Sequence, residues 1–153
     1  HAPEVSDVLM QCGRPVLVTP PARERNPVGE QALVAWKDSR ESRLALTAAI
    51  PLLQRAKGVT LYAVRSREDS GTVDGELADV VKFLARHRIA AEPVITEQGE
   101  ATVGRQILEE ALARSAGLIV SGGYGHARLR EWALGGVTRT LLAESTLCLL
   151  LAH

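Results

Sequence analysis

Residues Ile119–Leu142 read IVSGGYGHARLREWALGGVTRTLL. The stretch starts as a buried strand and ends as a helix whose apolar face is Val137, Leu141 and Leu142. Between the two lie Gly122, Gly123, Gly125 and Gly135, with Gly136 a fifth glycine at the helix entrance. A strand, a glycine-rich turn and a helix in that order are one unit of an α/β fold. Glycine lets the backbone take positive φ or come close to a ligand without a β-carbon. The amides of Gly135, Gly136, Val137 and Thr138 form a helix amino end, where free N–H groups and the helix dipole favour an anion such as phosphate. Thr138 adds a hydroxyl. Tight turns and a helix cap with no ligand are the plainer account of the same glycines.

Working outward, the same alternation fills the chain. Ala32–Trp36 (ALVAW) is a short apolar run, and Val59–Val64 (VTLYAV) is rich in β-formers. Ala91–Thr96 (AEPVIT) is a strand that Pro93 places at an edge. Gly117–Gly122 and Leu147–Ala152 are continuous apolar strands. The segments between them have helical spacing. Leu44, Ala48, Leu52 and Ala56 form one face, with Asp38 and Glu41 spaced as a capping box, Pro51 predicting a kink and Gly58 the stop. Val73, Leu77, Val80, Val81 and Leu84 form a second face. Val103, Ile107, Leu108, Ala111 and Leu112 form a third. The order β-α-β-α-β-α-β-α-β with continuous apolar strands predicts a five-stranded parallel sheet, doubly wound and covered on both faces.

The first thirty residues fall outside that count. Laid on the carboxyl end with an offset of 132 positions, Leu9 falls on Leu141, Met10 on Leu142, Val16 on Cys148, Leu17 on Leu149 and Val18 on Leu150. One reading makes residues 1–20 the tail, a helix end and last strand, of a preceding repeat, with 21–30 a proline-rich linker and 31–153 the domain; chance likeness of apolar runs is the other. A strand at Val16–Val18 needs a sheet edge to satisfy its backbone, and the nearest candidate is Leu147–Ala152.

Composition limits the classes of function. Of 153 residues, 18 are basic and 18 acidic, so the formal net charge is zero and a nucleic-acid module held by bulk charge is disfavoured. Aromatics are 3%, leaving Ala, Val and Leu to build the core. Two cysteines, Cys12 and Cys148, read as reduced, buried or half-buried thiols rather than a disulfide framework. No apolar run reaches the ~20 residues of a membrane-crossing helix and no signal peptide is evident, so a cytoplasmic location is expected. His1 at the start reads as an expression scar or an internal fragment. No residue set assembles a nucleophile, a base and an orienting acid, and no metal-ligand spacing occurs. His126, Arg128, Arg130 and Arg139 flank the glycines, where Arg128 or Arg130 closing over phosphates competes with a solvated face paired to Glu131. Trp132 reads as a packing anchor and His87 as a helix-end cap. There is no Gly-Lys-Ser/Thr loop, and GGYGHA lacks the third glycine of the dinucleotide fingerprint.

The spacing Gly122-x2-Gly125-x9-Gly135 resembles the signature of universal stress proteins, glycine-x2-glycine-x9-glycine-serine/threonine. LVAWKDSRESRLAL after the first domain strand, and PVLVTP and LCLLLA at the strand ends, extend the likeness. It covers Glu30–His153 as one domain and Val8–Pro20 as the tail of another, implying a tandem arrangement. The resemblance implies an adenine nucleotide alpha-hydrolase-like sheet of order 3-2-1-4-5 and a stress-response regulatory module that binds ATP or a related adenine nucleotide, with Mg2+. It also implies pairing through the last strand, as a homodimer or with a second such domain. Carried across, Gly122 and Gly125 lie by the ribose and phosphates, and Ser121 is a further cofactor-binding residue. Gly135, Gly136, Val137 and Thr138 hold the phosphates, and Ala35, Trp36, Lys37 and Val64 flank the adenine. Two positions depart from the family's ATP binders: Lys37 stands where they carry Asp, with Asp38 one place later, and Gly136 where they carry Ser or Thr. A hydrogen bond to a charged group is worth ~1.5–3 kcal/mol, so each departure bears on affinity. A non-nucleotide dimerisation and signalling domain is the alternative function, and a weak ATPase a third.

Overall fold

A computed structural model of the chain describes residues 4–22, 26–67, 71–122 and 135–153. Its elements in order are α1 (Val5–Gln11), β1 (Val16–Val18), β2 (Gln31–Ala35), α2 (Arg40–Leu53), β3 (Gly58–Arg65), α3 (Val73–Arg86), β4 (Ala91–Glu97), α4 (Val103–Ala113), β5 (Ala116–Gly122), α5 (Gly136–Glu144) and β6 (Cys148–Ala152). The sheet runs β1-β6-β5-β2-β3-β4. Counted within the domain, β2 to β6 are parallel in the order 3-2-1-4-5 read from the β4 edge. The sheet has six strands rather than five, because β1 adds itself antiparallel to β6, with Val16 opposite Leu151, Leu17 opposite Leu150 and Val18 opposite Leu149. The backbone needs of a lone strand and the open side of β6 account for that pairing.

Burial follows strand position. Every residue of β5 and β6 is buried, as expected of strands covered on both faces, whereas β4 is mostly exposed or half-buried and carries Pro93 on its edge. Along β2 the side chains alternate between two cores. Ala32 and Val34, followed by Trp36, join the layer under α2 and α3, while Leu33 and Ala35 join the layer under α4, α5 and Leu9 of α1.

The helices correct several details. The side chain of Ser39, not Asp38, caps α2, accepting the Ser42 N–H at 3.1 Å. The buried stripe of α2 is Ser42, Ala45, Leu46, Ala49 and Leu53; Leu44 faces out. Both stripes satisfy helical spacing, and the one rich in small residues allows the closer approach. Pro51 is accommodated in the last turn, and the helix ends at Leu53, leaving Gly58 to open β3. Leu112 of α4 is exposed as well, and Gly104 takes the inward position instead. The face expected for α3 is buried as read, with Val81 half-buried. Cys148 is buried as expected, Cys12 is exposed rather than buried or half-buried, and the two form no disulfide with each other.

Two glycines mark places where backbones nearly touch. A β-carbon on Gly117 would run into the Asn26 carbonyl, so residues 26–30 lie directly across the start of β5. One on Gly122 would strike the backbone of Glu41 and Ser42, so the end of β5 is packed against the amino end of α2.

Candidate functional site

The carboxyl ends of parallel strands are where this architecture gathers loops, and the order reverses between β2 and β5. A cleft of about 660 Å³ opens there, within the size range of small-molecule sites. Trp36, Lys37 and Asp38 reach it from the end of β2, and Ala63, Val64 and Ser66 from the end of β3. The remainder of the wall comes from helix amino ends: Thr72, Val73 and Glu76 of α3, Thr102, Val103 and Gly104 of α4, and Gly136, Val137 and Thr140 of α5. Gln98 joins them from the end of β4.

Each wall is held by identifiable bonds. The Trp36 N–H donates to the Tyr62 carbonyl at 2.8 Å, which fixes the exit of β2. Arg65 ties three elements together: its guanidinium meets Glu97 of β4 at 2.9 Å and Asp74 of α3 at 2.6 Å. Gln106 of α4 pins the loop after β4, donating to the Glu97 carbonyl and accepting the Gly99 N–H, both at 3.1 Å. Thr140 donates to the Gly136 carbonyl at 3.0 Å, and its β-carbon would stand 2.8 Å from a β-carbon on Gly104, so α4 and α5 meet closely beside the cleft.

The electrostatics favour an anion. Three helix amino ends converge on one cleft, and a helix amino end carries about half a positive charge. Gly135, the residue before α5, and Thr72, before α3, make no side-chain cap, so among the described residues the first-turn N–H groups of these two helices have no side-chain acceptor. Lys37 is exposed at the mouth and makes no ion pair among the described residues. Asp38 is engaged by Arg43; Glu76 accepts the Thr72 hydroxyl at 2.9 Å but keeps its negative charge at the α3 side of the cleft, so the anion-favouring side is that of α4, α5 and Lys37. Below the rim, burial pushes the Tyr62 phenol above its ordinary 10.0, against the opposing hydrogen bond to Thr96 at 2.7 Å.

Among the residues picked from the sequence, Trp36, Lys37, Val64, Gly136 and Val137 line the cleft. Gly135 is the residue before α5. Ala35, Ser121, Gly122 and Thr138 lie in the packed interior beside it; the Ser121 hydroxyl donates to the Gly122 carbonyl, and the Thr138 hydroxyl is buried without a partner among the described residues. Gly125, with Gly123, His126, Arg128, Arg130, Glu131 and Trp132, lies outside the described residues. Ser66, Thr72, Glu76, Gln98, Thr102, Gly104 and Thr140 were not picked out. The one local sign of them was the position of Thr72 and Thr102 just ahead of apolar helical runs, the usual place of a cap.

A model of the universal stress protein family matches residues 30–153. No curated protein gives a match. Among solved structures, a universal stress protein from Archaeoglobus fulgidus superposes with a TM-score of 0.72 at 19% identity; the match covers 96% of this chain and 52% of that one, so this chain spans about half its length. A universal stress protein in complex with cAMP gives 0.66 at 16% identity, covering 82% of this chain and 98% of that one. Another from Archaeoglobus fulgidus, in complex with dAMP, gives 0.60 at 20% identity, covering 81% and 98%.

Proposed function

Because the chain belongs to the universal stress protein family, we propose that it is a regulatory module whose cleft binds an adenine nucleotide. The observation that carries this reading is the convergence of the amino ends of α3, α4 and α5, with Lys37, on one cleft whose inner wall at Ala63 and Val64 is apolar. Apolar wall and positive rim match a base at one end and phosphate at the other. Relatives of the same fold in complex with cAMP and dAMP support the choice of adenine. ATP is the form proposed for the cell. Magnesium would arrive on its phosphates: among the described residues no group of three or more His, Cys, Asp or Glu gathers to hold a cation.

Gly136 offers a clean test. Among the described residues a β-carbon there meets nothing within 4 Å, so a side chain can be added without disturbing α5. Gly136→Glu sets a carboxylate among the three helix ends, where it repels phosphate yet suits the first helical turn. Calorimetric titration with AMP, ATP and Mg-ATP should show binding to the parent chain and a loss of about tenfold or more in the variant, with its melting temperature unchanged or raised. Equal affinities would overturn the site.

A non-nucleotide pairing module is the second reading, favoured by Lys37 and Gly136. Pairing is proposed to use the β6 edge that β1 takes here, with β1 as a strand from a preceding universal stress domain. The breadth of the match to the longer Archaeoglobus fulgidus protein, which takes in nearly the whole chain, supports that arrangement. No helix among the described residues is long and apolar enough to cross a membrane.

A further inference from the structure

A second hollow of about 410 Å³ lies on the other side of Trp36, in the groove between α2 and α3. Its floor and walls are Trp36, Leu46, Val80 and Phe83. The whole chain has two Trp, two Tyr and one Phe, so two of its five aromatic side chains line this groove. The rim is acidic. Glu76 and Asp79 project from one face of α3, and the remaining charged pair, Asp38 with Arg43, is self-neutralising. Asp79 is exposed and has no hydrogen bond or ion pair among the described residues. Trp36 is 6% exposed, and its Nε1–H is buried with no acceptor among the described residues.

We infer that this groove binds a small organic ammonium ion. Aromatic faces attract a cation through the ring quadrupole, and the attraction grows when the cation is desolvated in a pocket. Two carboxylates on the rim supply the opposite charge, and the apolar walls take the alkyl substituents. An anion is disfavoured by the same rim. The site is separate from the proposed nucleotide cleft, but Trp36, Asp38 and Glu76 line both, so each occupant alters the affinity for the other by the same factor.

The test uses the full chain with Trp132→Phe, which leaves Trp36 as the sole indole, titrated by fluorescence and calorimetry with choline and with its uncharged carbon isostere, 3,3-dimethylbutan-1-ol. Choline should bind with a dissociation constant on the order of 1 mM and the alcohol about tenfold more weakly. Asp79→Asn should weaken choline about fivefold to tenfold while Asp79→Glu stays within about twofold, and Phe83→Leu should weaken it about fivefold at an unchanged melting temperature. Equal binding of choline and the alcohol, indifference to Asp79→Asn, or no saturable response to choline would each overturn the assignment. None of these outcomes depends on whether nucleotide binds.

Discussion

Replacing Gly122 by alanine tests whether the first glycine of the loop signature is there for packing. A β-carbon at that position would stand 2.5 Å from the Glu41 carbonyl carbon and 2.6 Å from the Ser42 Cα, with the Ser42 nitrogen closer still. All three are backbone atoms, so no side-chain rotation relieves the clash. Restoring ordinary contact at about 3.6 Å requires α2 and β5 to part by roughly 1 Å, which loosens the buried stripe of Ser42, Ala45, Leu46, Ala49 and Leu53. Overpacking of a close-packed interior costs about 1–3 kcal/mol, and the rigidity of the obstacle sets the expectation near 3. For a domain of this size each kcal/mol lowers the melting temperature by about 2–4 °C, giving a drop of roughly 6–12 °C. Scanning calorimetry and urea denaturation of the parent and Gly122→Ala chains measure it, with a lower denaturation midpoint at an unchanged slope. A melting temperature within about 1 °C of the parent would refute the packing argument and return Gly122 to a purely ligand-facing role.

Gly136→Ser should place a hydroxyl at the rim without steric cost, raising nucleotide affinity about tenfold by calorimetry; an unchanged constant would show that phosphate does not reach the start of α5. Tyr62→Phe should flatten the alkaline limb of the stability curve. The folded phenol titrates above 10.0, so the unfolded chain loses its proton first; the stability linked to Tyr62 is full below pH 10.0 and is lost as pH rises through the higher folded value. Chemical denaturation at a series of pH values above 9 should therefore show a steeper fall for the parent than for the variant, and parallel curves would contradict the assignment.

The layered architecture could be read from the chain because its strands announce themselves. Runs such as LIV at 118–120 and LLL at 149–151 have no polar side to turn to water, so they had to be covered twice, and that requirement nearly dictates a doubly wound sheet. The edge positions followed as directly: Pro93 cannot donate to a central ladder, and a strand at Val16–Val18 had to find an open border. Helix faces were less legible where alanine dominates. In α2 and the turn after it, residues 44, 48, 52 and 56 and the stripe through 45, 46, 49 and 53 have equal claim by spacing, and tertiary approach decided between them. The cleft was legible at the exits of β2 and β3 and at the start of α5. Thr72, Gln98, Thr102 and Thr140 enter it from three separate crossovers, and no short-range pattern links residues that meet only after the sheet has closed.

The β1–β6 ladder has three residue pairs, against seven between β3 and β4. A three-residue latch is the least costly part of the sheet to release, and its release bares the full length of β6, a strand of five apolar residues in CLLLA. That border is therefore subject to competition: any extended segment of similar character, from this chain's own amino end or from another molecule, can take the seat for a small difference in free energy. Strand exchange at this seam would let protein concentration, rather than a dedicated switch, select which partner completes the sheet.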